Sequence, residues 1–311
     1  MHLNSHGADV KGQRCKVQGA RDNEQGILYI VSTPIGNMED ITLRALRILK
    51  EVQLIAAEDT RHTKKLLNAY DINTPLTSLY DQNELKKSSY IISRLNDGMN
   101  VAYVSDAGTP GISDPGYILV NQAIRNFIRV VPVPGPSAVV AALSAAGLPM
   151  DSFVFSGFLP SRKGKRRQLM KSLKDETKTI VFYESPRRVI STLQEIEEIF
   201  GDRHAVIGRE LTKVYEEILR GTVSELIDSL KERQIKGEFT LIISGTEKRP
   251  KSYSHEKLTT RFKELQNDSK LSTRDIVNII SEEMGVSKKN VYKDVLQFKD
   301  KGTRIKDKGT G

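Results

Sequence analysis

The sequence holds a single cysteine, Cys15, in a polar N-terminal stretch. One thiol cannot build a disulfide framework or a cysteine-based metal cluster. It also gives no support to a Cys–His nucleophile. The five histidines are scattered without metal-ligand spacing. The pattern argues against a metal enzyme, and only carboxylate-bound Mg²⁺ stays open. Long apolar runs are missing too: none reaches the roughly 18 residues of a membrane-spanning helix, so no membrane partner is expected. Residues 1–25 lack the apolar segment of a secretory signal. They read as a disordered extension, and the cytoplasm is the expected compartment.

Three chemical fingerprints are absent as well. G-x-G-x-x-G does not follow the first strand, and G-x-x-x-x-G-K-[ST] occurs nowhere, which weakens NAD chemistry and P-loop ATP hydrolysis. Nor is there a G-x-S-x-G nucleophile elbow.

What is present is positive charge in excess. The net charge is +9, and residues 248–311 carry sixteen Lys and Arg against nine Asp and Glu, or +7 of that total. A second cluster, "PSRKGKRRQLMKSLK" from Pro160 to Lys174, has seven basic residues and no acid. A single such run is often just a solvated surface, but two separate ones favour a nucleic-acid partner. The length of 311 residues suits two or three domains, and 38% hydrophobic with 28% charged residues is an ordinary globular composition.

One pattern recurs along the chain: a β-branched run, a turn and an amphipathic helix. "GILYIVST", "VQLIAAED", "NVAYVSD" and "RVVPVP" read as strands. Helices are expected near Ile41–Lys50, in "TRHTKKLLNAY", near Tyr117–Arg125 and in "GPSAVVAALSAAG". A second block has strands in "SFVFSGFL", "KTIVFYES", "HAVIGREL" and "EFTLIISG", with helices in "PRRVISTLQEIEEIFG", capped by Ser185, and in "TVSELIDSLKER". Such alternation predicts an α/β fold: two α/β domains with mostly parallel or mixed sheets, over 26–136 and 137–247. Residues 248–311 read as a basic linker and a small helical domain. There Ile276, Ile279 and Ile280 share a face, Gly285 breaks the helix, Ser287 caps the next, and Val291, Val295 and Phe298 stripe it. Both a helix-turn-helix and an ordinary helical hairpin fit that pattern.

Ligands of open α/β sheets bind beyond the carboxyl ends of the strands. The residues there are small, turn-forming or charged, and the densest stretch is "VSDAGTPGISDPG", Val104 to Gly116. Glycine lets backbone approach a ligand closely and proline stiffens the loop.

The motifs "LYIVSTPIGNMEDITLRAL", "AEDTRHTKKLL", "SDAGTPGISDPG", "VPGPSAVVAALSAAGLP", "FVFSGFLP", "FYESPRRV" and "GRELTKVYEE" resemble the tetrapyrrole-methylase superfamily of S-adenosylmethionine-dependent methyltransferases. Within it they are similar to the branch that methylates a cytidine ribose 2′-hydroxyl in the decoding centre of 16S rRNA. The resemblance spans about Ile27 to Gly245, and the helical tail is similar to that branch's helix-turn-helix appendage.

The resemblance implies that S-adenosyl-L-methionine lies between the domains. It would be cradled by Asp106, Gly108, Thr109, Pro110, Gly111, Ile112 and Ser113, with Pro34, Pro136, Ser137, Tyr183, Leu211 and Thr240 completing the walls. It further implies 16S rRNA in the small ribosomal subunit as partner, and a homodimer. A ribose hydroxyl needs its proton removed as it attacks. Glu58, Asp59, Asp106, Glu184 and Glu210 are candidate carboxylates. Glu58 and Asp59 are preferred, with Arg61 steering a phosphate, and the base itself stays open between them. Arg162, Lys163, Lys165, Arg166 and Arg167 would form a mobile RNA-holding arm, aided by Lys288 and Lys289 in the tail. A porphyrinoid methylase and a nucleic-acid-binding protein without catalysis are the rival readings.

Overall fold

A computed structural model describes residues 25–246, 255–266, 271–284, 286 and 288–295. The expectations for residues 1–24, Gly285, Ser287 and Phe298, and for most of the linker, lie outside the described residues.

The first unit runs β1 (Leu28–Val31), α1 (Leu43–Glu51), β2 (Leu54–Ala57), α2 (Thr60–Ala69), β3 (Leu76–Ser78), α3 (Glu84–Asn96), β4 (Val101–Val104), α4 (Tyr117–Arg125) and β5 (Val130–Val133). Its sheet is parallel in the order β3-β2-β4-β1-β5. The central runs "LIAA" and "VAYV" are buried at every position, as strands covered on both faces must be. On one face Ala45, Ile48 and Leu49 of α1 and Leu66 and Leu67 of α2 pack against the sheet. On the other, Ile91, Ile92 and Leu95 of α3 and Leu119 and Ala123 of α4 do so. The chain thus leaves β1 over one face and the adjacent β4 over the other. That makes the gap between their carboxyl ends the topological switch point, where open α/β sheets bind ligands.

The second unit comprises α5 (Ala138–Ala146), β6 (Phe153–Phe158), α6 (Lys163–Leu173), β7 (Thr179–Glu184), α7 (Val189–Phe200), β8 (His204–Arg209), β9 (Glu217–Thr222), α8 (Val223–Lys231) and β10 (Phe239–Ile243). Its sheet is mixed, β6-β7-β10-β8-β9, with only β6 and β7 parallel. Helices α6, α7 and α8 cover one face. The small-residue helix α5 covers part of the other, through Val139, Ala142, Leu143 and Ala146. Helices α9 (His255–Gln266), α10 (Thr273–Met284) and α11 (residues 288–295) share a third core, with Leu258, Phe262, Ile276, Val277, Ile280, Val291 and Val295 buried together.

Two expectations need correction. Helix α7 begins at Val189 with Arg188 as its cap, not at Ser185. The buried Glu184 carboxylate accepts the Ser185 backbone N–H (2.7 Å) and hydroxyl (3.3 Å), so Ser185 closes a turn instead of capping. The basic stretch is not a mobile arm either: it is helix α6, anchored by the buried Met170 and Arg166. Arg166 is only 7% exposed and grips Glu195 of α7 with two hydrogen bonds of 2.8 and 2.7 Å, so it cannot meet a polyanion. Arg167 is also tied up, pairing with Glu198 at 2.6 Å. Only Arg162, Lys163 and Lys165 of the five remain exposed cations without such a partner role.

A buried residue that charge counting alone does not single out holds the entry to α4. Glu84 of α3 accepts the backbone N–H of both Gly116 and Ile118 at 2.9 Å. Hydrogen bonds to an ionised group are strong, and buried donors left without a partner carry a full desolvation penalty. Glu84→Ala should therefore lower unfolding free energy by about 2–3 kcal/mol in urea titration. A loss under about 0.5 kcal/mol would mean that water replaces the carboxylate.

Candidate active site

The loop of residues 105–116 is pinned before any ligand arrives. Thr33 and Gly108 exchange backbone hydrogen bonds of 2.8 and 3.0 Å, joining it to the loop after β1 across the switch point. The Ser32 and Thr109 hydroxyls lie 2.8 Å apart, and Thr109 also donates to the Pro136 carbonyl at 3.3 Å. Below, the Tyr103 hydroxyl donates to the Pro115 carbonyl at 2.8 Å. Gly108 has φ +81°, and a Cβ there would sit 3.4 Å from Ile35 Cγ2. The position favours glycine for its left-handed backbone, since a Cβ would make only ordinary contact with Ile35.

The two units meet over this loop. Gly36 approaches the turn after β8 so closely that a Cβ would lie 2.4 Å from Lys213 Cγ. The Asn37 backbone donates to Thr212 Oγ1 at 3.0 Å. Left-handed backbone at non-glycine residues gathers here: Ser113 (φ 68°), Glu210 (φ 49°) and the β-branched Thr212 (φ 64°). Such conformations cost about 1–3 kcal/mol each and cluster at functional sites.

Between the units lies a cavity of about 350 Å³, within the range of small-molecule sites. Asp106, Gly108, Thr109, Ile112, Ser113, Ser137, Tyr183, Leu211 and Thr240 line it, as the sequence suggests, and so does Glu58. Pro34, Pro110, Gly111 and Pro136 do not; Pro136 supports the loop through its carbonyl. The second unit adds Phe158, Gly208 and the segment Gly237–Phe239, which sequence reasoning missed. Phe158 and Gly208 lie in the motifs "FVFSGFLP" and "GRELTKVYEE", and Gly237, two residues before β10, has φ +98°. Phe155 and Phe158 pack on the Tyr183 ring at 5.0 and 5.4 Å, forming an aromatic wall.

The candidate carboxylates separate cleanly. Asp59 caps α2 through the Arg61 N–H (2.8 Å) and also binds the Arg61 guanidinium. That bonding holds its carboxyl far below the usual range, and neither residue lines the cavity. Glu184 lines the wall with its side chain fully buried, bound by Arg188, Thr192 and Ser185. Glu210 is held by Lys213 at 2.9 Å. Glu58 differs. It is half-buried, accepts only a long (3.4 Å) bond from the Asp106 N–H, and burial followed by the Asp106 charge pushes its carboxyl up. Asp114, also in the lining, is raised to about 6 by burial and by Glu58. The cleft floor is thus a carboxylate set without a cationic partner among the lining residues. Among the described residues, no three His, Cys, Asp or Glu side chains are placed to hold a metal ion. No described helix is long and apolar enough to cross a membrane.

Asp114 makes the charge cost measurable. Its folded-state pKa lies above the ordinary carboxylate value. The Asp114 contribution to stability is therefore fully present below about pH 4 and is lost as pH rises through about 6. Asp114→Asn should gain about 1–2 kcal/mol over wild type in urea unfolding at pH 8, after screening at the cleft mouth, and nothing near pH 3.5. Equal stabilities at both pH values would show that the site solvates the charge fully.

Lys288 and Lys289 open α11 and do not line the cleft.

Residues 27–227 match the family described as Tetrapyrrole (Corrin/Porphyrin) Methylases. The chain is 46% identical over 273 residues to "Ribosomal RNA small subunit methyltransferase I" of Halalkalibacterium halodurans, covering 87% of this chain and 94% of that protein. It is 53% identical over 222 residues to the protein of the same name from Thermotoga maritima, covering 71% of this chain and 100% of that one. The fold is similar to uroporphyrin-III C-methyl transferase from Thermus thermophilus complexed with S-adenyl homocysteine. The TM-score is 0.52 and the identity 17%, over 70% of this chain and 97% of that one. With the cleft at the switch point and these matches together, the chain belongs to the tetrapyrrole methylase family and, within it, to the rRNA small subunit methyltransferase I family.

Proposed function

We propose that this protein transfers a methyl group from S-adenosyl-L-methionine to 16S rRNA of the small ribosomal subunit, at a cytidine ribose 2′-hydroxyl in the decoding centre. The observation that carries the reading is the pinned loop 105–116, closing one inter-domain cavity whose floor presents the Glu58 carboxylate. The lining fits the donor: hydroxyls of Ser113 and Ser137 for polar groups, with Ile35, Ile112 and Leu211 for apolar ones.

When bound, the donor supplies an already activated methyl group. The protein's own part is alignment and proton removal. The prearranged loop holds its shape without reorganising, which favours a single productive pose. Glu58 accepts the ribose proton at its carboxylate; burial and the Asp106 charge push its pKa up, which makes it a stronger base than an ordinary glutamate. Phe158 and Tyr183 supply an apolar aromatic side to the cleft. Four residues separate β6 from helix α6, and in this reading Arg162, Lys163 and Lys165 at the start of α6 take the RNA backbone. A homodimer, and a division of the α/β units near residues 136–137, belong to the same proposal.

The test is transfer from labelled donor to small subunits purified from a strain lacking the enzyme. Nuclease digestion should place the label on the ribose of a cytidine. Label on a base, or none on rRNA, overturns the reading.

A further inference from the structure

The helical unit carries a second concavity, of about 720 Å³, away from the cleft-lining residues. It lies between the first turns of α10 and α11. Arg274 and Asn278, one helical turn apart, face it from α10; Lys288, Lys289 and Tyr292 face it from α11, with Val277 among the lining residues. Three of these six are cations and none is acidic. Tyr292 leaves 49% of its surface in water, although Val291 and Val295 on the same helix are buried. A large aromatic ring held out of the core beside three cations is the arrangement that binds unpaired nucleotides: cations on phosphates and a ring under a base.

We infer that this concavity is a single-stranded RNA site, in which Arg274, Lys288 and Lys289 hold the backbone and Tyr292 stacks a base. The identity of the polyanion rests on the RNA-directed reading above. Its place outside the α/β units fits the Thermotoga maritima relative, whose whole length matches over 222 residues, about the span of the two α/β units alone. The site therefore adds substrate grip and is not part of the chemistry. A duplex lying across α11, as in a helix-turn-helix, would use the same lysines but would have no need of an exposed ring.

The experiment uses the full-length protein, a labelled ten-nucleotide oligouridine and an RNA duplex of about the same length, followed by fluorescence anisotropy against salt. Wild type should prefer the single strand. The pair Lys288→Ala and Lys289→Ala should weaken binding about 10-fold near 0.1 M salt and reduce the salt slope by about 1.4. Tyr292→Ala should weaken binding about 5- to 10-fold with the slope unchanged, and Tyr292→Phe should restore it. Calorimetric affinity for the methyl donor should not move in any variant. A preference for duplex, or a Tyr292→Ala protein that binds single strands like wild type, overturns the inference. If wild type still methylates small subunits in that case, the inference alone falls. If wild type fails to methylate them, the functional reading falls, whatever the oligonucleotides do.

Discussion

Glu58→Gln should lower the rate of methyl transfer to small subunits by about 10²–10⁴-fold, the range typical of losing a positioned base. Glutamine keeps the shape and one acceptor oxygen but cannot take a proton. Because Glu58 also lines the cavity, donor affinity is measured separately by calorimetry and the rate in single turnovers at saturating donor. The pH dependence gives a second readout. In wild type the rate should rise with pH as Glu58 ionises, through a midpoint above the ordinary glutamate value because of burial and the Asp106 charge, and then level off. The variant should be slow at every pH and lose that limb. Asp106→Asn removes the neighbouring charge, so it should move the wild-type midpoint down. A Glu58→Gln protein within about five-fold of wild type would mean that water takes the proton directly.

This assignment was only half legible in the sequence. "AED" after β2 marked Glu58 and Asp59 equally, since both sit at a strand's carboxyl end. Structure separates them by an interaction two residues long: Arg61 folds back on Asp59, and the pair is consumed as a helix cap. The loop 105–116 was readable because glycine and proline impose backbone geometry that any fold must accommodate. The opposite wall was legible only in part: Tyr183, Leu211 and Thr240 were expected there, but Gly208 and Phe239 are strand residues whose exposure to a cavity depends on how two sheets face each other.

The same division runs through the fold. The central strands show as apolar runs because both faces are covered. The edge strands β3 and β9 escaped notice: "LTS" is three residues long, and "EILRGT" is nowhere fully buried. Helix α9 was hidden by a linker-like composition, with only Leu258 and Phe262 buried among its described side chains. Helix α6 was hidden by its own charge. Only two of its eleven residues are buried, and one of them is an arginine.

That arginine carries the second large effect. Arg166→Ala should destabilise the protein by about 3–5 kcal/mol, because it strands the Glu195 carboxylate in a buried site. Arg166 also donates to the Pro160 and Ser161 carbonyls at 3.4 and 3.2 Å, so its loss frees the segment joining β6 to α6 as well. Replacing the pair together, Arg166→Met with Glu195→Leu, should recover most of the stability, since an apolar pair of similar volume leaves no uncompensated charge. The sign with pH follows from Glu195, whose carboxyl is held below its ordinary value by Arg166. Its contribution is present above that ordinary value and is lost as pH falls through the lowered one, so wild type and the double variant should converge in acid. An RNA contact predicts otherwise: both variants would lose RNA affinity alike and neither would lose stability. Urea unfolding of the single and double variants, beside RNA binding of the refolded proteins, decides between a strut that holds α6 in place and a cation spent on phosphate. If the strut reading holds, the double variant should bind RNA as wild type does, because Arg162, Lys163 and Lys165 would still stand at the start of a correctly placed helix.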